Sequence, residues 1–146
     1  MNELEKVKDL IAENSYNEAK KELTKYISEG HENDLEVLKL MGLVNVNLQD
    51  YKSATTNFEK AIKISPKDAT ALFYLANCYD NLNRLSDAES YYIKVLEIRE
   101  NYIDAYKNLC IICMKTGKEN NAIVYAMKAK EIAPQDYTFD YLIGTA

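Results

Sequence analysis

Residues 35–68, LEVLKLMGLVNVNLQDYKSATTNFEKAIKISPKD, decide the fold, because the spacing of their apolar and small residues recurs twice more along the chain. Within this stretch Leu38, Met41, Gly42, Asn45, Ala54, Phe58 and Ala61 are closed by Pro66. A step of 34 residues lands on Leu72, Leu75, Ala76, Tyr79, Ala88, Tyr92 and Val95, with Glu100 in the proline position. A second step lands on Tyr106, Leu109, Cys110, Cys113, Ala122, Ala126 and Ala129, closed by Pro134. Apolar residues three and four apart share one face of a helix, so each unit carries stripes that must be buried against a neighbour.

A fixed 34-residue period of large, large, small, large, then Ala, aromatic, Ala and Pro resembles the tetratricopeptide repeat (TPR), a helix-turn-helix unit. The likeness covers residues 35–136 in full and most of the remainder in weaker form. It departs at Asn45, where the pattern favours Tyr, at Glu100, where it favours Pro, and at Ala126, where it favours an aromatic. The resemblance implies an all-α fold, a right-handed α-α superhelix of helical hairpins in a single domain over 1–146. The repeats would fall at about 1–34, 35–68, 69–102 and 103–136.

Outward from the opening stretch, residues 2–14 predict a helix with Leu4, Val7, Leu10 and Ile11 on one face. Asn14 and Ser15 break it, and Ser15 with Glu18 predicts a capping box for a second helix over 16–29, with Tyr16, Ala19, Leu23, Tyr26 and Ile27 inward. Ala19 lies 35 residues before Ala54, so the extra residue belongs to the linker 30–34. There Gly30 suits the left-handed conformation past a helix end, and Asp34 is an N-cap for the helix that follows. Gln49, Asn83 and Gly117 share one repeat position inside the hairpin turns, where the chain reverses through positive φ; Gln49 fits this worst. Pro66 with Asp68 and Pro134 with Asp136 mark boundaries between units. Residues 137–146, TPR-like again at Gly144, read either as a capping helix or as the start of a truncated repeat. Phe139, Tyr141, Leu142 and Ile143 leave little polar face, which favours a fragment of a longer protein.

Composition excludes several function classes. The net charge of −5 lacks the clustered Lys and Arg excess that phosphate binding requires, so no nucleic-acid partner is expected. No run of 18 apolar residues occurs, so no membrane span is expected, and the amphipathic N-terminus does not read as a signal peptide. Three cysteines make a disulfide framework improbable; a reducing, cytoplasmic location is expected. Cys110 and Cys113 read as core thiols on packing positions, since no further metal ligands stand at suitable spacing. His31, the one histidine, reads as an exposed linker residue, and the carboxylates Glu59, Asp80, Asp87 and Glu89 are scattered over helix surfaces. No Gly-rich phosphate loop is present. A non-enzymatic chain with no cofactor and no metal is therefore expected.

If Leu72, Leu75, Ala76, Tyr79 and Leu82 face the core, residues 70, 73, 74, 77, 80 and 81 lie on another face of the same helix. The resemblance implies that this stripe of each first helix lines a concave groove that binds extended peptides. Carried over unit by unit, it points to Lys39, Leu43 and Asn47, then Phe73, Tyr74, Asn77 and Asn81, then Asp104, Lys107, Asn108, Ile111 and Lys115. Asparagine amides offer both donor and acceptor to a ligand backbone, and Leu43, Phe73, Tyr74 and Met114 offer apolar pockets. Phe73 and Tyr74 are expected to be exposed side by side, which favours a binding surface over a merely solvated face. Chaperone-binding relatives clamp a C-terminal carboxylate with Lys, Asn and Arg. Here Asn77 and Asn108 stand at two clamp positions, but Phe73, Thr138 and Leu142 replace the basic residues, so binding of that kind is not expected. The implied function is a protein–protein interaction module for a peptide or partner protein. An accessory N-terminal domain of a larger enzyme and a scaffold that forms homo-oligomers through exposed solenoid ends remain as alternatives.

Overall fold

The computed structural model describes residues 3–137 and residue 140. Among these, eight α-helices form four successive hairpins: α1 (Glu3–Ala12) with α2 (Tyr16–Tyr26), α3 (Leu35–Asn47) with α4 (Tyr51–Ile64), α5 (Ala69–Asn81) with α6 (Leu85–Ile98), and α7 (Ile103–Lys115) with α8 (Glu119–Ile132). No strand occurs among the described residues, and the hairpins stack into an all-α superhelix of helical repeats. The last ten residues lie outside the described ones apart from Tyr137 and Asp140.

Each hairpin reverses by the same device. Asn14, Gln49, Asn83 and Gly117 hold φ of 62°, 64°, 61° and 76°. The amide of the next residue then reaches back five residues: Ser15 to the Leu10 carbonyl, Asp50 to Asn45, Arg84 to Tyr79 and Lys118 to Cys113, at 2.7–2.8 Å. That long backward bond is the Schellman closure, and it satisfies a helix-end carbonyl that would otherwise be orphaned. Between hairpins the chain turns more tightly, with Asp34, Asp68, Tyr102 and Asp136 each donating an amide to the carbonyl three residues earlier.

The helix starts are less uniform than the ends. Asp34 accepts hydrogen bonds from the Glu36 and Val37 amides, and Asp68 accepts one from Ala71. Ser15, expected to anchor a capping box, makes no side-chain bond to the helix it precedes. The second helix also ends earlier than expected, at Tyr26, and Ile27–His31 form one wide turn with Gly30 at φ 101°. His31 is not the exposed linker residue the sequence suggested. Its ring is half-buried and stacks on Tyr26 with centroids 3.9 Å apart.

The core explains the small residues. One continuous cluster runs from Leu38 through Phe58, Leu75, Tyr92 and Leu109 to Ile112, and a second joins Leu4, Val7, Ala19 and Leu23 to Val37, Met41 and Val44. Helix α3 contributes to both, so it is apolar on two sides and sits between its own partner and the preceding hairpin. A methyl group on Gly42 would lie 2.6 Å from the Phe58 ring, so the close crossing of α3 and α4 requires glycine there. Asn45, standing where the repeat favours Tyr, is buried; its amide donates to Asn57 Oδ1 at 2.8 Å, while its own Oδ1 finds no protein partner.

Candidate binding site on the first helices

Helices α3, α5 and α7 carry the residues singled out from the sequence, and the fold aligns them as neighbours. Between α3 and α5 lies a cavity of about 390 Å³ whose apolar wall is Leu35, Leu40, Leu43, Phe58 and Tyr74, with Glu36, Lys39 and Thr70 at its rim. The Phe58 and Tyr74 rings stack with centroids 5.6 Å apart. Phe58 comes from the second helix α4, and only its place as the repeat's aromatic core residue was legible in the sequence.

The aromatic pair is a correction. Phe73 and Tyr74 are half-buried, not exposed side by side. Phe73 packs within 5.9 Å of Tyr74, 5.7 Å of Tyr92 and 5.0 Å of Tyr102, centroid to centroid. Neighbours on its own helix, on α6 and in the turn before α7 explain why an apolar residue is tolerated on this face.

The asparagines join into a network between α5 and α7. The Tyr92 hydroxyl donates to Asn77 Oδ1, and Asn108 Nδ2 donates both to Asn77 Oδ1 and to the Tyr92 oxygen at 3.2 Å. Burial pushes the Tyr92 hydroxyl well above the ordinary tyrosine range, against the opposing pull of the Asn108 amide, so it remains a proton donor at neutral pH. Asn77 and Asn108 therefore brace the hairpins. Asn47 and Asn81 are exposed and donate back to the Leu43 and Asn77 carbonyls at 2.9 and 2.8 Å.

The lysines are committed too. Lys39 lies 2.7 Å from Asp68 and Lys107 lies 2.7 Å from Asp136, while Lys115 is 3.4 Å from Asp80. Burial opposes ionisation of Asp68, but the Lys39 ammonium and the Ala71 and Thr70 amides outweigh it and hold its carboxyl below the usual range. Both short pairs span 29 residues, a recurrence that could have been found in the sequence. Asp104 is exposed in the first turn of α7, where the helix dipole favours an acid, and Ile111 is 38% exposed beside Met114 at 39%. Thr138 and Leu142, the remaining clamp positions, lie outside the described residues.

Cys78, Cys110 and Cys113 are free and buried, and burial pushes the Cys78 and Cys110 thiols up to about 11. Among the described residues no cluster of three or more His, Cys, Asp or Glu could hold a metal ion, and no helix is long and apolar enough to cross a membrane.

The stacked hairpins form a helical-repeat protein with an amide-rich, partly apolar face on its first helices. Family models described as tetratricopeptide repeat match residues 47–110 and 104–136, and the chain belongs to that family. Among curated proteins, the Sol locus transcriptional repressor of Clostridium acetobutylicum is 29% identical over 73 residues, which is 50% of this chain and 23% of the repressor. The matched stretch thus spans about a quarter of the length of that relative. Among solved structures, MamA superposes with a TM-score of 0.85 at 22% identity, covering 91% of this chain and 77% of MamA. YrrB, described as a TPR protein with an unusual peptide-binding site, superposes with a TM-score of 0.82 at 25% identity, covering 88% of this chain and 66% of YrrB. The first TPR of Spaghetti (RPAP3), bound to the HSP90 peptide SRMEEVD, gives 0.70 at 20% identity, covering 75% of this chain and 88% of that one.

Proposed function

We propose that this chain is a protein–protein interaction module that takes a peptide, or an extended segment of a partner protein, along the concave face of α3, α5 and α7. The observation that carries this reading is the placing of amide groups and an open apolar cavity in one row across neighbouring helices. In the Asn77–Tyr92–Asn108 network the amide nitrogen of Asn77 and the amide oxygen of Asn108 are not used, which leaves one donor group and one acceptor for a ligand backbone. The peptide-binding site ascribed to YrrB supports the same use of the fold.

A second reading places the module within a longer protein. It is supported by the match to only 23% of a transcriptional repressor, in which the matched repeats are one part of a larger chain.

A peptide-display selection with the purified chain as bait tests the first reading. Selected peptides are expected to shift the amide NMR signals of Leu43, Asn77, Asn108 and Ile111. Peptides that shift only the exposed positions of the second helices, such as Lys60 and Glu97, would overturn it.

A further inference from the structure

Across the three joints that follow α4, α6 and α8, the same two repeat positions are filled in two different ways. They hold Lys39 with Asp68, then Phe73 with Tyr102, then Lys107 with Asp136. The outer two are ion pairs of 2.7 Å, and the middle one is a ring contact of 5.0 Å. The binding face is therefore an aromatic centre between two neutralised charge pairs. The open volume lies beside that centre, in the cavity floored by the buried Phe58 ring and walled by Leu40, Leu43 and Tyr74.

From this the geometry points to a specific class of ligand, an inference that rests on the binding role proposed above. The α3–α5 cavity accepts one bulky apolar side chain, Phe, Leu or Met, from an internal segment of a partner protein whose flanking residues are uncharged or basic. The volume of about 390 Å³ lies within the range of ligand pockets and is open to the face. Apolar walls reward burial of a ring and give no return for a carboxylate. The charges at the rim are already matched: Glu36 is 2.7 Å from Lys8, and Lys39 is 2.7 Å from Asp68. Lys107 and Lys115 are likewise held by carboxylates, so an acidic ligand would have to break an existing pair to gain one. Asp104 remains exposed on the same face, and the chain as a whole carries −5, which favours approach of a basic segment.

Four acetylated and amidated ten-residue peptides in a Gly/Ser frame test this: one with central Phe flanked by two Lys on each side, one with Ala for Phe, one with Glu for Lys, and one with Phe at a free C-terminal carboxylate. Binding is read by fluorescence anisotropy and by methyl NMR of Leu35, Leu40 and Leu43. The Lys-flanked Phe peptide is expected to shift those methyl signals and to bind at least about tenfold tighter than each of the other three. The Leu43→Asp chain is expected to lose that preference with unchanged helicity, and Leu43→Ala is the gentler variant should Asp perturb folding. If the Phe peptide shifts only α7 signals such as Ile111, the cavity assignment is overturned while the binding face stands. Equal binding of the Glu-flanked or free-carboxylate peptide overturns the charge part of the inference. If no peptide moves any signal of α3, α5 or α7, the inference fails, and failure of the display selection as well overturns the binding role itself.

Discussion

The joint between α6 and α7 and the joint between α4 and α5 solve one problem with different chemistry. In the earlier joint Asp68 caps α5 and at the same time binds Lys39 of α3, so one carboxylate satisfies a helix end and ties two hairpins together. In the later joint Tyr102 stands at the capping position and makes no side-chain bond to α7. Its ring packs on Phe73 instead, which in turn touches Tyr92, the hydroxyl of which holds Asn77 and Asn108. The lesson is that the backbone path of the repeat is indifferent to whether a joint is closed by charge or by rings. The proposed binding face inherits the consequence, polar at one end of α3–α5 and aromatic towards α6.

Removing the centre of the aromatic joint gives the largest expected effect. Tyr92 is fully buried, so Tyr92→Ala leaves a cavity and removes the hydroxyl shared by Asn77 and Asn108, keeping only their direct 3.2 Å bond, and should cost ~3 to 5 kcal/mol in urea unfolding. A loss below about 1 kcal/mol would mean that the network is not a brace. A smaller effect sharpens the equivalence of the two joints. Phe73→Lys should be destabilising alone, whereas adding Tyr102→Asp rebuilds the Lys39–Asp68 arrangement and should recover ~1 kcal/mol. Simple additivity of the two substitutions would break the comparison.

The smallest effect concerns pH. Because the Asp68 carboxyl is held below its ordinary range in the folded chain, the stability it supplies is present above that ordinary value and is lost as pH falls through the depressed one. Asp68→Asn keeps a capping oxygen and removes the titration. It should lower stability at pH 7 by up to about 1 kcal/mol and flatten the loss of stability below pH ~4, as followed by thermal melts. An acid limb unchanged by the substitution would show that the pair contributes nothing.

Much of the architecture could be read from the chain because the repeat constrains it twice, through the 34-residue spacing and through the residues at the turns. Asn83 and Gly117 fell at left-handed positions as expected, and even Gln49, a poor fit, is held at φ 64° because the Schellman closure leaves no alternative. Ser15 failed as a capping box because a sequence match says nothing about the rotamer that brings a hydroxyl to an amide. The proposed binding face was legible only as a list of positions. That Phe73 and Tyr74 would be covered, and that Asn77 would meet Tyr92 and Asn108, depends on ring orientations and on helix packing that no spacing encodes. The lysine partners were within reach, since Lys39 with Asp68 and Lys107 with Asp136 repeat the same 29-residue separation two periods apart.

Three of the four hairpin reversals run through Asn14, Gln49 and Asn83, a left-handed backbone that asparagine adopts at modest cost and glutamine at a larger one. Glycine, with no Cβ, reaches the same φ without that cost. A designer wishing to harden the fold without touching α3, α5 or α7 would begin at Gln49, with glycine.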